Sequence, residues 1–468
     1  MRSAARVSSE EMPAVPGRQE RLGLFSATIL VVANMVGTGI FTTSGFIIQG
    51  LGNSWAMLGC WMVGGLFALT GALCYGELGA RFPRAGGEYV FLRESFGELP
   101  AFLSGWVSLL VGFSAPIAAG SMAFAVYFLA GWSGSQEMGL AGKIQGVTVL
   151  TLSPVTLLAS GVIVAFYLVH SHSLFLGSRV QNALTLFKLA LIMAFVILGL
   201  GWGRGSPAHF DAAPPLGVFF SGQFATSLIF INFAYSGWNA AAYMGGEISR
   251  PTRNIPLALL GGTLLVTILY LLLNLTFLYG LSSQEMSGVL AVGEKAAVAL
   301  FGVRISRIFS GAIALSLLSL LSAMMMTGPR VYQAMAKDGL FFPGISKLKA
   351  ERATPGNAIL LQAGLALFMV LTASFENLLV FIGFTLSLFS LLAVGGLIVL
   401  RRRNPAPDLP YQTWGYPFTA ILFILGNLWI ILFSIINRPL VSLTGLAAIL
   451  SGAVFYFFFK RRARRAAA

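Results

Sequence analysis

The stretch LFSATILVVANMVGTGIFTTSGFIIQ, residues 24–49, is about long enough to cross a bilayer and carries Gly37-Thr38-Gly39 at its centre. Two glycines around a β-branched residue form helix poorly, so the pattern predicts a helix that opens at this point. Open backbone in hydrocarbon is tolerated only where protein or water surrounds it. Such a break presents free N–H groups at the positive end of a half-helix dipole, which suits a small carboxylate. The alternative is that the glycines merely allow another helix to pack closely.

The composition indicates a protein with many membrane-spanning helices. Apolar residues make up 57% of the 468 residues, charged residues make up 10%, and the mean hydropathy is +0.83. A soluble core of this size would need far more charge on its surface. The formal net charge of +14 does not indicate nucleic-acid binding, because the basic residues form short clusters between apolar runs.

Apolar runs predict about twelve membrane spans, and nearly all of the charge lies between them. With the N-terminus inside, 23 of the 30 basic residues lie on the inner side, six lie on the outer side, and Lys188 lies within a span. This bias predicts that both termini are cytoplasmic. The predicted spans are 24–49, 55–79, 99–131, 150–169, 176–202, 217–244, 256–281, 304–335, 356–374, 377–400, 416–436 and 440–459.

The sixth span is interrupted in the same way as the first. Residues 224–247 read FATSLIFINFAYSGWNAAAYMGGE, with the small pair Ser236-Gly237 in mid-segment. Breaks that lie five spans apart have the spacing that an inverted repeat of two five-helix halves requires. Chance is the alternative, because 54 of the 468 residues are glycine. The repeat predicts a cytoplasmic tail 1–22, a first repeat 23–202, a second inverted repeat 203–400, two additional helices 401–459 and a basic cytoplasmic tail 460–468.

Lys188 is the most informative single residue. It lies in ALTLFKLALIMAF, within the fifth span, and no acidic residue is near it in the sequence. An ammonium inside a bilayer is costly, so its default interpretation is functional, with backbone carbonyls or an ion site as partners. The alternative is that the long side chain reaches the membrane interface, since Arg179 is only about two helical turns away.

The acidic residues indicate an uncharged substrate side chain. No acidic residue lies centrally in any predicted span, and this absence favours a neutral substrate over a cationic one. Residues 81–96 are amphipathic and basic, and they are predicted to form a short helix along the cytoplasmic surface. Glu77 and Glu247 end the second and sixth spans, where they are predicted to pair with the nearby arginines Arg81, Arg84, Arg250 and Arg253.

Enzyme chemistry finds no support in the sequence. The motifs HExxH, GxSxG and the Walker-type phosphate loop are absent, so protease, hydrolase and nucleotide-driven activities are not indicated. His170, His172 and His209 are loop or span-end residues without enough neighbouring ligands for a metal. Cys60 and Cys74 share one apolar segment, which implies no disulfide framework. We therefore predict no cofactor, no metal and no catalytic residue.

Five motifs, in order along the chain, resemble the amino acid–polyamine–organocation (APC) superfamily of permeases. They are GTGIF at 37–41, RFPRAGGEYVFLRESFG at 81–97, QNALTLFKL at 181–189, FAYSGWNAAAYMGGEISRPTRNIPLAL at 233–259 and GPRVYQAMAKDG at 328–339. The lysine in the fifth span and FAYSGWN in the sixth look most like the bacterial L-type amino acid transporter branch. The resemblance covers nearly the whole chain. It implies an all-α polytopic membrane protein with the five-plus-five inverted-repeat, leucine-transporter-like fold, in which helices 1 and 6 are discontinuous and two helices follow.

The resemblance also implies how a substrate is held. Free amides at 37–39 would bind the substrate α-carboxylate, and carbonyls of both broken helices would receive its α-ammonium. Phe233 would close over the substrate as a gate, and Asn239 would support the break in the sixth helix. Lys188, with Tyr270 as a supporting partner, would occupy the place where sodium-coupled relatives bind an ion. The substrate-binding residues implied in this way are Met35, Gly37, Thr38, Gly39, Phe233, Ser236 and Asn239.

These features together predict a sodium-independent transporter of small or medium neutral L-amino acids, which works by alternating access as an exchanger. Exchange of cationic amino acids or polyamines and proton-coupled amino acid symport remain as alternatives. The expected partners are an amino acid substrate and the lipid bilayer, and no nucleic-acid partner is expected because the basic residues form short clusters between apolar runs. The loop from Ser133 to Gln145 has no cysteine, so no disulfide-linked ancillary subunit is expected. The expected location is a bacterial inner (plasma) membrane.

Overall fold

The computed structural model describes residues 21–129, 140–144, 147–289, 291–347, 354–372, 375–405, 408–437 and 439–467. The predicted tail 1–22 lies almost wholly outside the described residues, and so does most of the loop from Ser133 to Gln145.

Helices dominate the described part of the chain. The helices are α1 (Leu24–Met35), α2 (Gly39–Leu51), α3 (Ser54–Arg81), α4 (Glu88–Phe96), α5 (Glu98–Val107), α6 (Ala115–Leu129), α7 (Pro154–His172), α8 (Leu174–Trp202), α9 (Gly222–Tyr235), α10 (Ala240–Tyr243), α11 (Pro251–Gly280), α12 (Ser283–Met286), α13 (Val292–Phe301), α14 (Val303–Lys337), α15 (Gly356–Thr372), α16 (Phe375–Arg403), α17 (Phe418–Asn437) and α18 (Pro439–Ala467). A π-helical segment, Ser108–Ser114, joins α5 to α6, and short 3-10 turns lie at Pro207–His209, Leu216–Phe220, Gly245–Glu247 and Pro343–Ile345. Strands β1 (Leu140–Ile144) and β2 (Val147–Leu152) form an antiparallel hairpin.

Every predicted span overlaps a helix or a pair of consecutive helices, so the predicted all-α membrane architecture is confirmed. Among the described residues, eight helices are long and apolar enough to cross a membrane, and the bent pair α1–α2 adds a ninth. The fourth span was predicted from residue 150, whereas α7 begins at Pro154. The difference arises because residues 147–152 form β2, and the Ser153 hydroxyl then caps α7 by accepting from the Thr156 amide.

Two helices are interrupted at the positions where the sequence places small residues. Helix α1 ends at Met35, α2 begins at Gly39, and the two are bent by 43°. Helix α9 ends at Tyr235 and α10 begins at Ala240. The breaks touch, because a Cβ atom on Gly237 would lie 2.7 Å from the carbonyl oxygen of Asn34. Gly237 also has φ +95°, so this approach requires glycine.

One end of the bundle holds Leu22, Glu77, Arg330 and Arg401, and we call it the basic end. Buried ion pairs close this end. Glu77 is fully buried and binds Arg81, as predicted, with Nη2–Oε1 at 3.0 Å. It also accepts from Arg401 of α16, with Nε–Oε1 at 2.8 Å. This second arginine neutralises a carboxylate that would otherwise be costly to bury.

The predicted pairing of Glu247 with Arg250 or Arg253 is wrong. Both arginines are exposed, and Glu247 instead binds Arg330 of α14 through two bonds, Nε–Oε1 at 2.9 Å and Nη2–Oε2 at 3.0 Å. The segment that follows α10 also pairs with the chain that enters α1, because the Leu22 amide donates to the Glu247 carbonyl at 2.8 Å. The interaction thus joins three distant parts of the sequence, and proximity along the chain does not predict it.

The predicted surface helix within residues 81–96 is only partly correct. Helix α4 exists, but its first turns are buried and it packs against α16. Gly86 and Gly87 have φ +123° and +53°, and this left-handed backbone turns the chain toward the interior. The Gly86 amide then donates to the Tyr243 carbonyl at 3.0 Å. Glu88, the first residue of α4, is therefore carried inside the bundle, where it is 4% exposed.

Candidate substrate site

A cavity of about 1050 Å³, counting its open part, lies where the two broken helices meet. Residues from both breaks line it, together with residues from α4, the π-helical segment, α6, α14, α16 and α17. The lining includes every implied substrate-binding residue. These residues are Met35, Gly37, Thr38, Gly39, Phe233, Ser236 and Asn239.

The backbone between α1 and α2 offers unused donors to this cavity. The amides of Gly37, Thr38 and Gly39 have no hydrogen-bond acceptor among the described residues. The Thr38 carbonyl, in contrast, already accepts from the Phe41 amide at 3.1 Å and from the Thr42 hydroxyl at 3.0 Å. The free amides stand at the N-terminus of a 13-residue helix, whose dipole favours an anion. This arrangement can bind a carboxylate.

The two glycines of the first break differ in their surroundings. A Cβ atom on Gly39 would lie 2.7 Å from the Cα atom of Ala234, so this position is needed for close packing of α2 on α9. A Cβ atom on Gly37 would meet only the Leu320 side chain, with its nearest atom at 2.9 Å. The break and the close packing, which the sequence offered as alternatives, therefore occur together.

Substitutions at the two glycines should differ, because one affects substrate binding and the other also affects folding. We expect Gly37→Ala to weaken substrate binding about tenfold, because its methyl group crowds the free amides while Leu320 can shift, and a lost charged hydrogen bond has this size. We expect Gly39→Ala to lower the thermal unfolding temperature as well, because the Ala234 backbone cannot move aside. Ligand titration and thermal unfolding of both variants test this. Unchanged affinity in Gly37→Ala would contradict the assignment of these amides.

Lys188 reaches the first break from α8. Its side chain is fully buried, and Nζ donates to the Val36 carbonyl and lies 3.4 Å from the Ala33 carbonyl. The alternative that it extends to the membrane interface is therefore wrong. These carbonyls lie at the unwound end of α1, where they have lost their helical partners. A fixed ammonium at this place satisfies them.

Tyr270 of α11 connects the two breaks. Its hydroxyl oxygen lies 2.7 Å from the Met35 carbonyl and 3.0 Å from the Ala234 carbonyl. The ring is fully buried between Trp61 and Tyr235, with centroid distances of 5.3 and 5.0 Å. Packing of this kind holds the hydroxyl in one place. Tyr270 therefore supports both breaks directly, through the Met35 and Ala234 carbonyls.

The second break is held by its own set of hydrogen bonds. The Phe233 carbonyl accepts from the Ser236 amide at 3.1 Å, which leaves one lone pair on that oxygen. Asn239 does not cap the following helix with its side chain. Its Nδ2 atom donates instead to Glu88 Oε1 at 2.9 Å and to the Tyr243 hydroxyl at 3.1 Å. Asn239 thus ties the break to α4.

Phe233 is half-buried on the cavity wall, where an aromatic ring can cover a bound molecule. We expect Phe233→Ala to lower the exchange rate about tenfold, because a site that stays open to water does not enclose its substrate. Phe230→Ala is the matched control, since Phe230 lies in the same helix but is absent from the cavity lining and stacks on Phe46. Equal rates in the two variants would remove the gate assignment.

Most of the residues that line the cavity were not predicted from the sequence. The π-helical segment contributes Ser108, Gly112 and Phe113, and π-helical turns often mark functional sites, although no residue pattern announced this one. Glu88 was missed because it lies between spans. The absence of acidic residues from the middle of every predicted span, which favoured a neutral substrate, therefore does not keep an acidic side chain out of the cavity. The other missed lining residues include Pro116, Ala119, Leu320, Met324, Ser387, Ser390, Phe423 and Asn427.

A cavity between two broken helices, inside an all-helical bundle of membrane-spanning length, defines a membrane transporter for small molecules. The sequence profile of the family described as amino acid permease matches residues 22–459. The serine/threonine exchanger SteT of Bacillus subtilis (strain 168) is 30% identical over 95% of this chain and 98% of its own. The human b(0,+)-type amino acid transporter 1 is 30% identical over 97% and 90%. The human large neutral amino acids transporter small subunit 2 is 28% identical over 94% and 80%.

The chain belongs to the amino acid permease family of the APC superfamily. It is therefore a multi-pass membrane protein and an amino acid transporter rather than an enzyme. Its two cysteines, Cys60 and Cys74, are free and buried in α3.

Proposed function

We propose that this protein exchanges small or medium neutral L-amino acids across the membrane by alternating access, without sodium. The observation that carries the proposal is the contact of the buried Lys188 ammonium with the Val36 carbonyl. An ammonium fixed at the first break can take the place of a bound metal cation. The site then needs no sodium to satisfy the unwound carbonyls.

The substrate is held by its backbone groups in this proposal. Its α-carboxylate binds the free amides of Gly37, Thr38 and Gly39, and its α-ammonium binds carbonyls at Met35, Phe233 and Ser236. Phe233 closes over it. Ser236 and Gly237 leave little bulk beside the second break, which favours small substrates such as alanine or serine. Two of the relatives, a serine/threonine exchanger and a large neutral amino acids transporter, support a neutral substrate.

The proposal also covers the two repeats, the orientation of the chain and the membrane in which it lies. The repeats comprise residues 23–202 and 203–400, and the two additional helices lie within 401–459. The basic end faces the cytoplasm, in agreement with the positive-inside rule, and the membrane is a bacterial inner membrane. Transport moves the paired segments at the two breaks relative to each other.

Glu88 favours a second candidate function, the exchange of cationic amino acids, because it brings an acidic group to the cavity wall. Proton-coupled symport through Lys188 is the third candidate. A transport rate that does not change between mildly acidic and alkaline conditions would remove it.

Uptake of labelled alanine into proteoliposomes tests the proposed function. Vesicles preloaded with unlabelled alanine are compared with empty vesicles, each with and without sodium. We expect uptake that requires internal amino acid and ignores sodium. Uptake into empty vesicles would show facilitated diffusion, and uptake of lysine without alanine would replace the neutral assignment by the cationic one.

A further inference from the structure

Two carboxylates are buried among the described residues, Glu77 and Glu88, and they differ in charge compensation. Glu77 binds both Arg81 and Arg401. Glu88 forms no ion pair in the described part of the chain. Removal of a carboxylate from water without a cation costs several kcal/mol by order of magnitude. A cation that arrives in the cavity would repay this cost, whereas Glu77 has no such need.

The two oxygens of Glu88 have different surroundings. Oε1 accepts three hydrogen bonds, from the Tyr75 hydroxyl at 2.7 Å, from Asn239 Nδ2 at 2.9 Å and from the Ser390 hydroxyl at 3.1 Å. Oε2 accepts none from the described residues, yet this oxygen is not fully occluded by the protein. Because Glu88 lines the cavity and is 4% exposed, Oε2 faces the cavity. Three donors thus orient the carboxylate and leave one oxygen for a ligand.

The position of this oxygen is set by the second break. A Cβ atom on Gly87 would lie 2.4 Å from the Tyr243 ring, so the chain just before Glu88 lies directly against α10. The Gly86 amide bonds the Tyr243 carbonyl, and Asn239 holds Oε1 from the residue that precedes α10. Glu88 is therefore tied to the half-helix beyond the break by two hydrogen bonds, one from Asn239 and one through the Gly86 amide.

We propose that Glu88 Oε2 forms an ammonium subsite in the cavity, which binds a primary alkylammonium group of the transported molecule separately from the backbone carbonyls at the breaks. An ammonium provides three donors, so it can bond to Oε2 and still bond to water or to neighbouring oxygens. The subsite rests on the proposed transport function for the identity of its ligand. The group is either the side-chain ammonium of a lysine-like substrate or the α-ammonium of any substrate that moves past α10.

Glu88→Gln tests the subsite with little change of shape. The glutamine oxygen keeps the three donors, and an amide N–H₂ group, which repels an ammonium, replaces Oε2. Glu94→Gln is the matched control, because Glu94 lies in the same helix, is exposed and pairs with Arg84. Binding to the purified full chain in lipid nanodiscs is measured by ligand-induced thermal stabilisation and by titration. The probes are L-lysine, its uncharged counterpart L-norleucine, L-alanine and n-butylammonium.

Two results would support the subsite, and each identifies a different ammonium group as its ligand. If it takes a side-chain ammonium, Glu88→Gln weakens lysine and n-butylammonium binding about tenfold, the effect of one charge-assisted hydrogen bond, and leaves norleucine and alanine unchanged. If it takes the α-ammonium in passage, Glu88→Gln slows alanine and norleucine exchange about tenfold while their dissociation constants stay the same. In both cases Glu94→Gln behaves as the unaltered protein.

Other results overturn it. Equal behaviour of Glu88→Gln and Glu94→Gln with all four probes and in alanine exchange would show that the negative charge binds nothing. If Glu88→Gln does not fold, the test uses the unaltered protein, which n-butylammonium must stabilise and n-butanol must not. Equal stabilisation by both compounds, or by neither, refutes the subsite. If no amino acid binds, the proposed function is refuted. If n-butylammonium still binds in that case and Glu88→Gln removes this binding, the subsite stands.

Discussion

Lys188→Ala should lower amino acid exchange by about tenfold to a hundredfold, the effect of losing a charged hydrogen bond worth roughly 1.5–3 kcal/mol. The reason is that the Val36 and Ala33 carbonyls at the unwound end of α1 lose the ammonium that faces them. Without it, these two carbonyls have no fixed partner beside the amides that hold the substrate. Exchange of labelled alanine between preloaded vesicles measures the effect.

A volume control is needed because Lys188 is fully buried and alanine leaves a cavity. Lys188→Met retains most of the side-chain volume without the charge, and it should lose exchange to the same extent. Thermal unfolding of both variants distinguishes a folded, inactive protein from an unfolded one. Exchange at the rate of the unaltered protein in Lys188→Met would show that the charge has no role in transport.

Glu247→Ala should destabilise the folded protein by about 3–5 kcal/mol, the usual cost of removing one partner from a buried ion pair. Arg330 is 2% exposed, and without Glu247 its guanidinium keeps, among the described residues, only the Met326 carbonyl at 2.6 Å. The loss also loosens the basic end, because the same segment pairs with Leu22 at the start of α1. Thermal unfolding of the purified protein measures the change.

A double variant separates the unpaired charge from the lost contacts. Glu247→Ala combined with Arg330→Met removes both charges, so part of the stability should return. Glu94→Gln is the surface control, since the exposed Glu94–Arg84 pair should contribute less than about 1 kcal/mol. An unfolding temperature of Glu247→Ala equal to that of the unaltered protein would contradict the interpretation of this pair.

The sequence predicted the features that depend on composition and local backbone preference. Long apolar runs are the signature of helices in a bilayer, and each predicted span overlaps a helix or a pair of consecutive helices. The two breaks were predicted because glycine and serine lower helix stability at Gly37, Gly39, Ser236 and Gly237. The depth of Lys188 in the fifth span likewise followed from its position in an apolar run.

Features that depend on the three-dimensional path were not predictable. Glu88 was assigned to a surface helix because residues 81–96 are amphipathic and basic, yet the left-handed backbone at Gly86 and Gly87 turns it inward. Glu247 has two arginines close in sequence, but the distant Arg330 offers it two hydrogen bonds in a buried position. Pairing at a distance along the chain reflects packing, which a single sequence does not encode in any short pattern.

The hydroxyl of Tyr270 has one consequence for the order of events at the site. A phenol carries a single hydrogen atom, whereas two carbonyl oxygens, of Met35 and of Ala234, lie within reach of it. Rotation about one C–O bond therefore decides which half-helix receives the donor, and the other carbonyl is released at that moment. An incoming amine that takes the Met35 oxygen leaves the hydrogen on the Ala234 carbonyl, so the second break stays bonded to Tyr270 without any backbone movement.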